Sequence, residues 1–237
     1  MFLDKRADAV PLPPLPQVLT PSESFDGDDG KWSTFIINIA GDGDGKGQNF
    51  KVLISTSSPM ALVPAQSGWC NDECAKNRGI MDTVNGQQAR GFDYLTAAWK
   101  QEGLFSLPLE KSYWFSDNFL ILDKNISSLN SEWGTTTVGL GRASKQSNTI
   151  SEQYVALQGS RDLFLGSLGL SVGQYGFGTA LKPTFLEGLL GVKLIPSRSY
   201  GFTAGASYRK LFSLSASVCF SNASHSRAYL TLDRQRR

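Results

Sequence analysis

The sequence predicts an all-β protein, and three observations carry that prediction. From Trp32 onward, short runs rich in Val, Ile, Thr and aromatic residues alternate with Gly, Asn and Ser clusters, the punctuation of strands and turns. Helical periodicity is sparse. Hydrophobic residues make up 41% and charged residues 19% of the 237 positions, a balance that can bury a sizeable core.

Taken in order, residues 7–30 are rich in Pro, Ser, Asp and Gly, with Pro11, Pro13, Pro14 and Pro16 close together. Proline removes backbone donors and favours extended chain, so residues 1–30 read as a linker or mobile arm. Strands are expected near 32–39, 49–56, 60–64, 103–109, 113–122, 134–139, 152–157 and 162–166. Between the first two, Asp42-Gly43-Asp44-Gly45-Lys46-Gly47 begins like a calcium loop. Lys46 stands where an oxygen ligand is wanted, however, and Leu53 stands where the closing Glu belongs. A glycine-rich hairpin turn explains these residues better, since Asp-Gly readily adopts positive φ. One short helix is expected over residues 183–190, with Pro183 early, apolar residues at 185, 186, 189 and 190, and Gly191 to close it.

A formal net charge of +2 gives no field that would attract nucleic acid or an anionic membrane. The basic end, Arg234, Arg236 and Arg237, reads as a solvated terminus. No segment approaches the ~20 apolar residues that span a bilayer, and nothing in the sequence calls for a cofactor.

Cys70 and Cys74 flank a short polar stretch that reads as a surface loop. A disulfide between Cys70 and Cys74 closing this loop is the expectation, with free thiols or half a zinc site as the alternatives. Zinc needs two more ligands, and the one histidine, His225, is remote in sequence. Cys219 is left over, which in a secreted chain suggests a missing partner or missing chain. Asn125-Ile126-Ser127 and Asn222-Ala223-Ser224 are N-glycosylation acceptors compatible with secretion. Lys5-Arg6 before Ala7 reads as a dibasic processing site or as a chance basic pair.

The most informative residues are Ser55-Thr56-Ser57-Ser58, at the end of the apolar run Lys51-Val52-Leu53-Ile54, with Leu62-Val63-Pro64 after them. With Gly30-Lys31-Trp32-Ser33-Thr34-Phe35 before them and Cys70, Cys74, Arg78-Gly79 after, they resemble the amino-terminal lobe of fungal pepsin-like aspartic peptidases. The resemblance runs from about Gly30 to Arg227. It includes Ala98-Trp99-Lys100-Gln101-Glu102-Gly103-Leu104, residues 133–141, residues 153–156, residues 162–170 and residues 195–206. It implies a β-barrel lobe over 31–212, with a degraded start of a second lobe and an unstructured tail over 213–237. The second lobe is therefore expected to be missing or incomplete, and the chain to be either an independent half or a truncated product of a larger gene.

Departures from the family pattern decide the expected chemistry. Pepsin-like enzymes share one proton between two carboxylates. Ser55 stands where the first of these belongs, Ser57 replaces the motif glycine, and Thr136 replaces a usual Asp. No Tyr-Gly flap is recognisable between Tyr113 and Trp133, and the second lobe would have supplied the other carboxylate. A serine-hydrolase alternative, Ser55 with His225, lacks the Gly-x-Ser-x-Gly elbow. Asp123 and Asp162 read as turn or surface carboxylates, and Trp32, Trp99, Trp114 and Trp133 as core or cleft wall. The expectation is thus a secreted, catalytically inactive member of the family, with a degenerate motif at Ser55, Thr56 and Ser57. Such a protein would at most bind a peptide or protein in a half cleft, or dimerise through the exposed inter-lobe face. A cell-wall or carbohydrate-binding β-domain is the reading from a different class.

Overall fold

The computed structural model describes residues 14–19, 21–27, 31–41, 47–66, 68–83, 86–95, 97–107, 129–143, 148–159, 165–172, 175–177, 180–203 and 217–220. Of these described residues about half are in strands and about one tenth in helix. In chain order the elements are β1 (Gln17–Leu19), β2 (Pro21–Asp26), β3 (Trp32–Ile39), β4 (Gln48–Ser55), β5 (Ala61–Pro64), α1 (Asp72–Asn77), β6 (Lys100–Leu107) and β7 (Leu129–Leu140). There follow β8 (Thr149–Gln158), β9 (Gly166–Gly169), β10 (Tyr175–Phe177), β11 (Ala180–Lys182), α2 (Phe185–Gly191), β12 (Tyr200–Thr203) and β13 (Ser217–Phe220).

Eight strands form one sheet in the order β2-β3-β4-β9-β5-β8-β7-β6, and β3 also pairs with β7. That extra pairing, Ile37 opposite Leu140 and Ile39 opposite Val138, closes six of them into a barrel. β3 serves both partners along one strand. Its first half pairs with β2 and its second half with β7. Enclosed on both faces, β3 shows the continuous apolar run Phe35-Ile36-Ile37 and then Ile39, all buried, in place of alternation. Phe50, Val52, Val63, Val138, Val155, Leu157 and Leu168 fill the interior with it.

One expectation needs correction. Residues 17–19 and 21–26, read as part of an arm, are strands. β2 pairs with β3, and β1 pairs with β13, which lies between β1 and β12 in a three-stranded sheet. Backbone pairing holds them, with Leu19 the one fully buried apolar anchor, so composition concealed them. Pro21 falls at the first residue of its strand, where a missing donor is tolerated. Of the strand expected at 162–166, residues 162–164 lie outside the described residues, and the described strand runs over Gly166–Gly169. Its glycines mark close backbone approach in a strand, not a turn: a Cβ on Gly166 would come 2.6 Å from the Leu62 carbonyl oxygen. The strand expected at 113–122 lies outside the described residues.

α2 forms where expected. Thr184 and Glu187 make a reciprocal capping box, and Phe185, Leu186 and Leu189 bury one face. α1 was not foreseen in a segment read as a loop. Asn71 caps it by accepting the Cys74 N–H, and Asp72 and Glu73 sit in the first turn, where the helix dipole favours anions. Past its end Arg78 is 1% exposed, stacked 4.9 Å from the Trp69 ring and donating to Gln158 Oε1 at 3.1 Å. Burial pulls its pKa down to about 10, yet the guanidinium stays protonated at neutral pH. Among the described residues no helix is long and apolar enough to cross a membrane.

On the outside of the barrel, Asp26 accepts from Thr34 Oγ1 at 2.5 Å, Ser24 Oγ at 2.9 Å and Lys51 Nζ at 3.0 Å. Burial pushes this carboxyl up, but the three donors and the lysine charge outweigh it and hold the pKa below the ordinary value. A depressed carboxylate adds stability above the unfolded pKa of about 3.9, and that stability is lost as pH falls through the lower folded value. Asp26→Ala is therefore expected to cost about 2 kcal/mol at neutral pH, since charge-assisted bonds are lost, while buried Thr34 keeps Ser22 Oγ, at 2.6 Å, in place of the carboxylate. Urea unfolding at neutral pH and near pH 2 checks this; the cost should shrink at the acid end.

Candidate functional site

The loop from Ser55 to Met60 joins β4 to β5, and β9 runs between those two strands. β9 is parallel to β4, with Val52 opposite Gly166 and Ser55 opposite Gly169. It is antiparallel to β5 at Leu62 opposite Ser167. Two strands consecutive in sequence are thus held apart by a third, and their connecting loop must cross the end of that third strand.

Backbone bonds fix the crossing. Leu170 N–H donates to the Ser55 carbonyl at 2.7 Å, Ser171 N–H to that of Ser58 at 3.0 Å, and Gly169 N–H to that of Met60 at 3.1 Å. Phe185, the first residue of α2, donates its N–H to the Pro59 carbonyl at 2.9 Å, so the helix start braces the loop.

Within the loop, Ser55 is fully buried and its Oγ accepts the Ser58 N–H at 3.0 Å. Ser57 Oγ lies 3.5 Å from Ser55 Oγ, and Ser58 Oγ donates to the Met60 carbonyl at 2.9 Å. Thr56 is exposed, Ser57 is half-buried and Ser58 is buried. The loop therefore presents hydroxyls only. A serine hydroxyl donates and accepts hydrogen bonds but carries no charge in the acid or neutral range. Ser55 can orient the turn and contact a polar ligand group through its neighbours, but it cannot serve as the carboxylate base that activates a water.

Cys70 and Cys74 form a disulfide, with Cα atoms 5.3 Å apart, at the amino-terminal end of α1. Among the described residues no group of three or more His, Cys, Asp or Glu side chains is placed to hold a metal ion. Gly47, the last residue of the calcium-like run, has φ +83°; residues 42–46 lie outside the described residues. So do Asn125, Asn222, His225, Asp123, Asp162, Tyr113 and Trp114. Cys219 falls on β13 opposite Val18 and Gly201. Trp133 is buried and Trp99 packs edge-on to Phe92, whereas Trp32 is exposed. Thr136, at the position of the usual Asp, is buried and donates to the Ala98 carbonyl at 2.6 Å, tying β7 to the residues before β6.

Sequence reasoning placed Ser55 at a strand end but missed Gly169, which makes the crossing possible. The signal that would have found it is a glycine inside an apolar run, the mark of close backbone approach. No known family model matches the chain, and no curated protein matches it.

Proposed function

We propose that the chain is a pepsin-like lobe that has lost aspartic-peptidase chemistry and at most binds a peptide or protein partner. One observation carries this reading. The loop crossing β9 sets residue 55 at the end of β4, where the sequence resemblance assigns the catalytic carboxylate, and residue 55 is a fully buried serine bonded to the Ser58 N–H. A proton-sharing pair needs groups that ionise between about pH 1.5 and 5, and a hydroxyl does not.

Binding needs no such pair. An extended peptide can pair its backbone with a protein strand or loop by strand addition, and the exposed Thr56 is on the solvent side of this loop. The Cys70–Cys74 disulfide supports the secreted reading, since oxidising compartments preserve such bonds.

Incubation with an unfolded protein substrate across the acid range, with and without pepstatin, tests the reading. No pepstatin-sensitive peptides are expected by mass spectrometry. Cleavage that pepstatin abolishes would overturn it.

A further inference from the structure

We propose that the end of the barrel opposite Ser55 holds a second binding site, one that takes a short neutral peptide segment. A cavity of about 680 Å³ lies there, within the range of small-ligand sites. Its walls come from the chain after β3, the start of β4, the residue after β5, the middle of β7 and the stretch 87–98. Gln48 in its wall and Ser55 are the two ends of β4, about 23 Å apart along an extended strand. The site therefore stands independently of any reading of Ser55.

Four glutamines line it: Gln48, Gln66, Gln87 and Gln88. A carboxamide offers two donors and an acceptor in one plane, the complement of a peptide group. Two of the four are fixed in advance. Gln48 Nε2 donates to the Met81 and Asn49 carbonyls at 2.7 and 3.1 Å, and Gln88 Nε2 to those of Ala89 and Ile80 at 2.8 and 3.0 Å. Both amide hydrogens of each are thereby engaged, so these two offer a ligand only the Oε1 acceptor, already ordered. Gln66 and Gln87 are exposed and available to a ligand.

Charge and shape narrow the occupant. The lining carries one cation and one anion, Arg90 and Asp93. Arg90 Nε already bonds Asp72 Oδ1 at 3.2 Å, and Asp93 Oδ1 accepts the Leu95 N–H at 3.2 Å. Among the described residues of the lining these two charges balance, so none of them selects an ionic ligand. The one aromatic in the lining, Phe92, is 1% exposed and offers no face for a sugar ring. Ala40, Gly41, Ala89 and Ala97 form small-residue parts of the described wall, where a ligand's main chain can come close. Amide donors and acceptors, neutrality, and close main-chain access together favour a peptide over a saccharide.

The test is an NMR titration of nitrogen-15-labelled protein with a mixture of acetylated and amidated tetrapeptides of Gly, Ala, Ser, Asn and Gln. A parallel titration uses maltotetraose. The side-chain amide signals of Gln66 and Gln87 should move saturably with the peptides, while the backbone signals of Thr56 and Ser57 stay still. Binding should weaken at least about tenfold in Q66A/Q87A, equivalent to about 1.4 kcal/mol; both positions are exposed, so the variant should keep the fold. Absence of a saturable shift with the peptides would overturn the proposal. So would movement with maltotetraose alone, or equal peptide binding by the double variant.

Discussion

Gly169→Ala is expected to remove a large part of the protein's stability, about 4 kcal/mol. A Cβ at this position would lie 2.3 Å from the Ser58 carbonyl oxygen and 2.6 Å from the Met60 N and O, closer than real Cβ contacts come. All three are backbone atoms, and two are already engaged. The Ser58 carbonyl accepts from Ser171, and the Met60 carbonyl from Gly169 itself. The methyl group can be admitted only by moving β9 away from the loop. Overpacking of this kind costs about 1–3 kcal/mol, and each bond broken adds about 1 kcal/mol. Against a total stability of about 5–15 kcal/mol, that is a severe loss.

Gly191→Ala is the control. Gly191 ends α2, and a Cβ there meets nothing within 4 Å. In a helix that exchange should be neutral or slightly stabilising. Chemical denaturation of both variants reads the contrast. If Gly169→Ala unfolds within about 1 kcal/mol of the parent, the crossing is not closely packed, and the geometry assigned to Ser55 fails with it.

The parts of the fold legible in the sequence are those whose reason is local. β3, β4 and β5 are β-branched or aromatic runs bounded by turn residues, and they lie close to where they were expected. α2 announces itself by apolar spacing after Pro183. The parts not legible depend on distant partners. β1 exists because β13, some two hundred positions later, pairs with it. β9 is glycine-rich because other backbone crowds it; glycines inside an apolar run signal a close approach, but not which segments make it. Arg78 reads as an ordinary surface cation until Trp69 and Gln158 enclose it.

The site divides in the same way. That residue 55 ends a strand, and that it is not a carboxylate, can be read directly. That its hydroxyl is fully enclosed and bound to the Ser58 N–H follows only from the path of β9 between β4 and β5. The neutral cavity at the far end is less legible still, because its four glutamines come from three separate stretches of chain.

The measurement that bears most directly on Ser55 as a fully enclosed hydroxyl is the unfolding free energy of Ser55→Asp, relative to the parent, from about pH 3 to 7. In this enclosed position desolvation outweighs one backbone donor, so the new carboxyl should titrate above its unfolded value of about 3.9. The folded state then holds its proton more tightly than the unfolded state, and stability falls as pH rises through that window. The variant should be closest to the parent near pH 3 and lose a further amount of about 3 kcal/mol by neutrality. A difference that does not change with pH, or a variant that gains stability toward neutral pH, would contradict the account. Residue 55 would then be open to solvent or held by further donors, and the enclosed geometry assigned to Ser55 would fail.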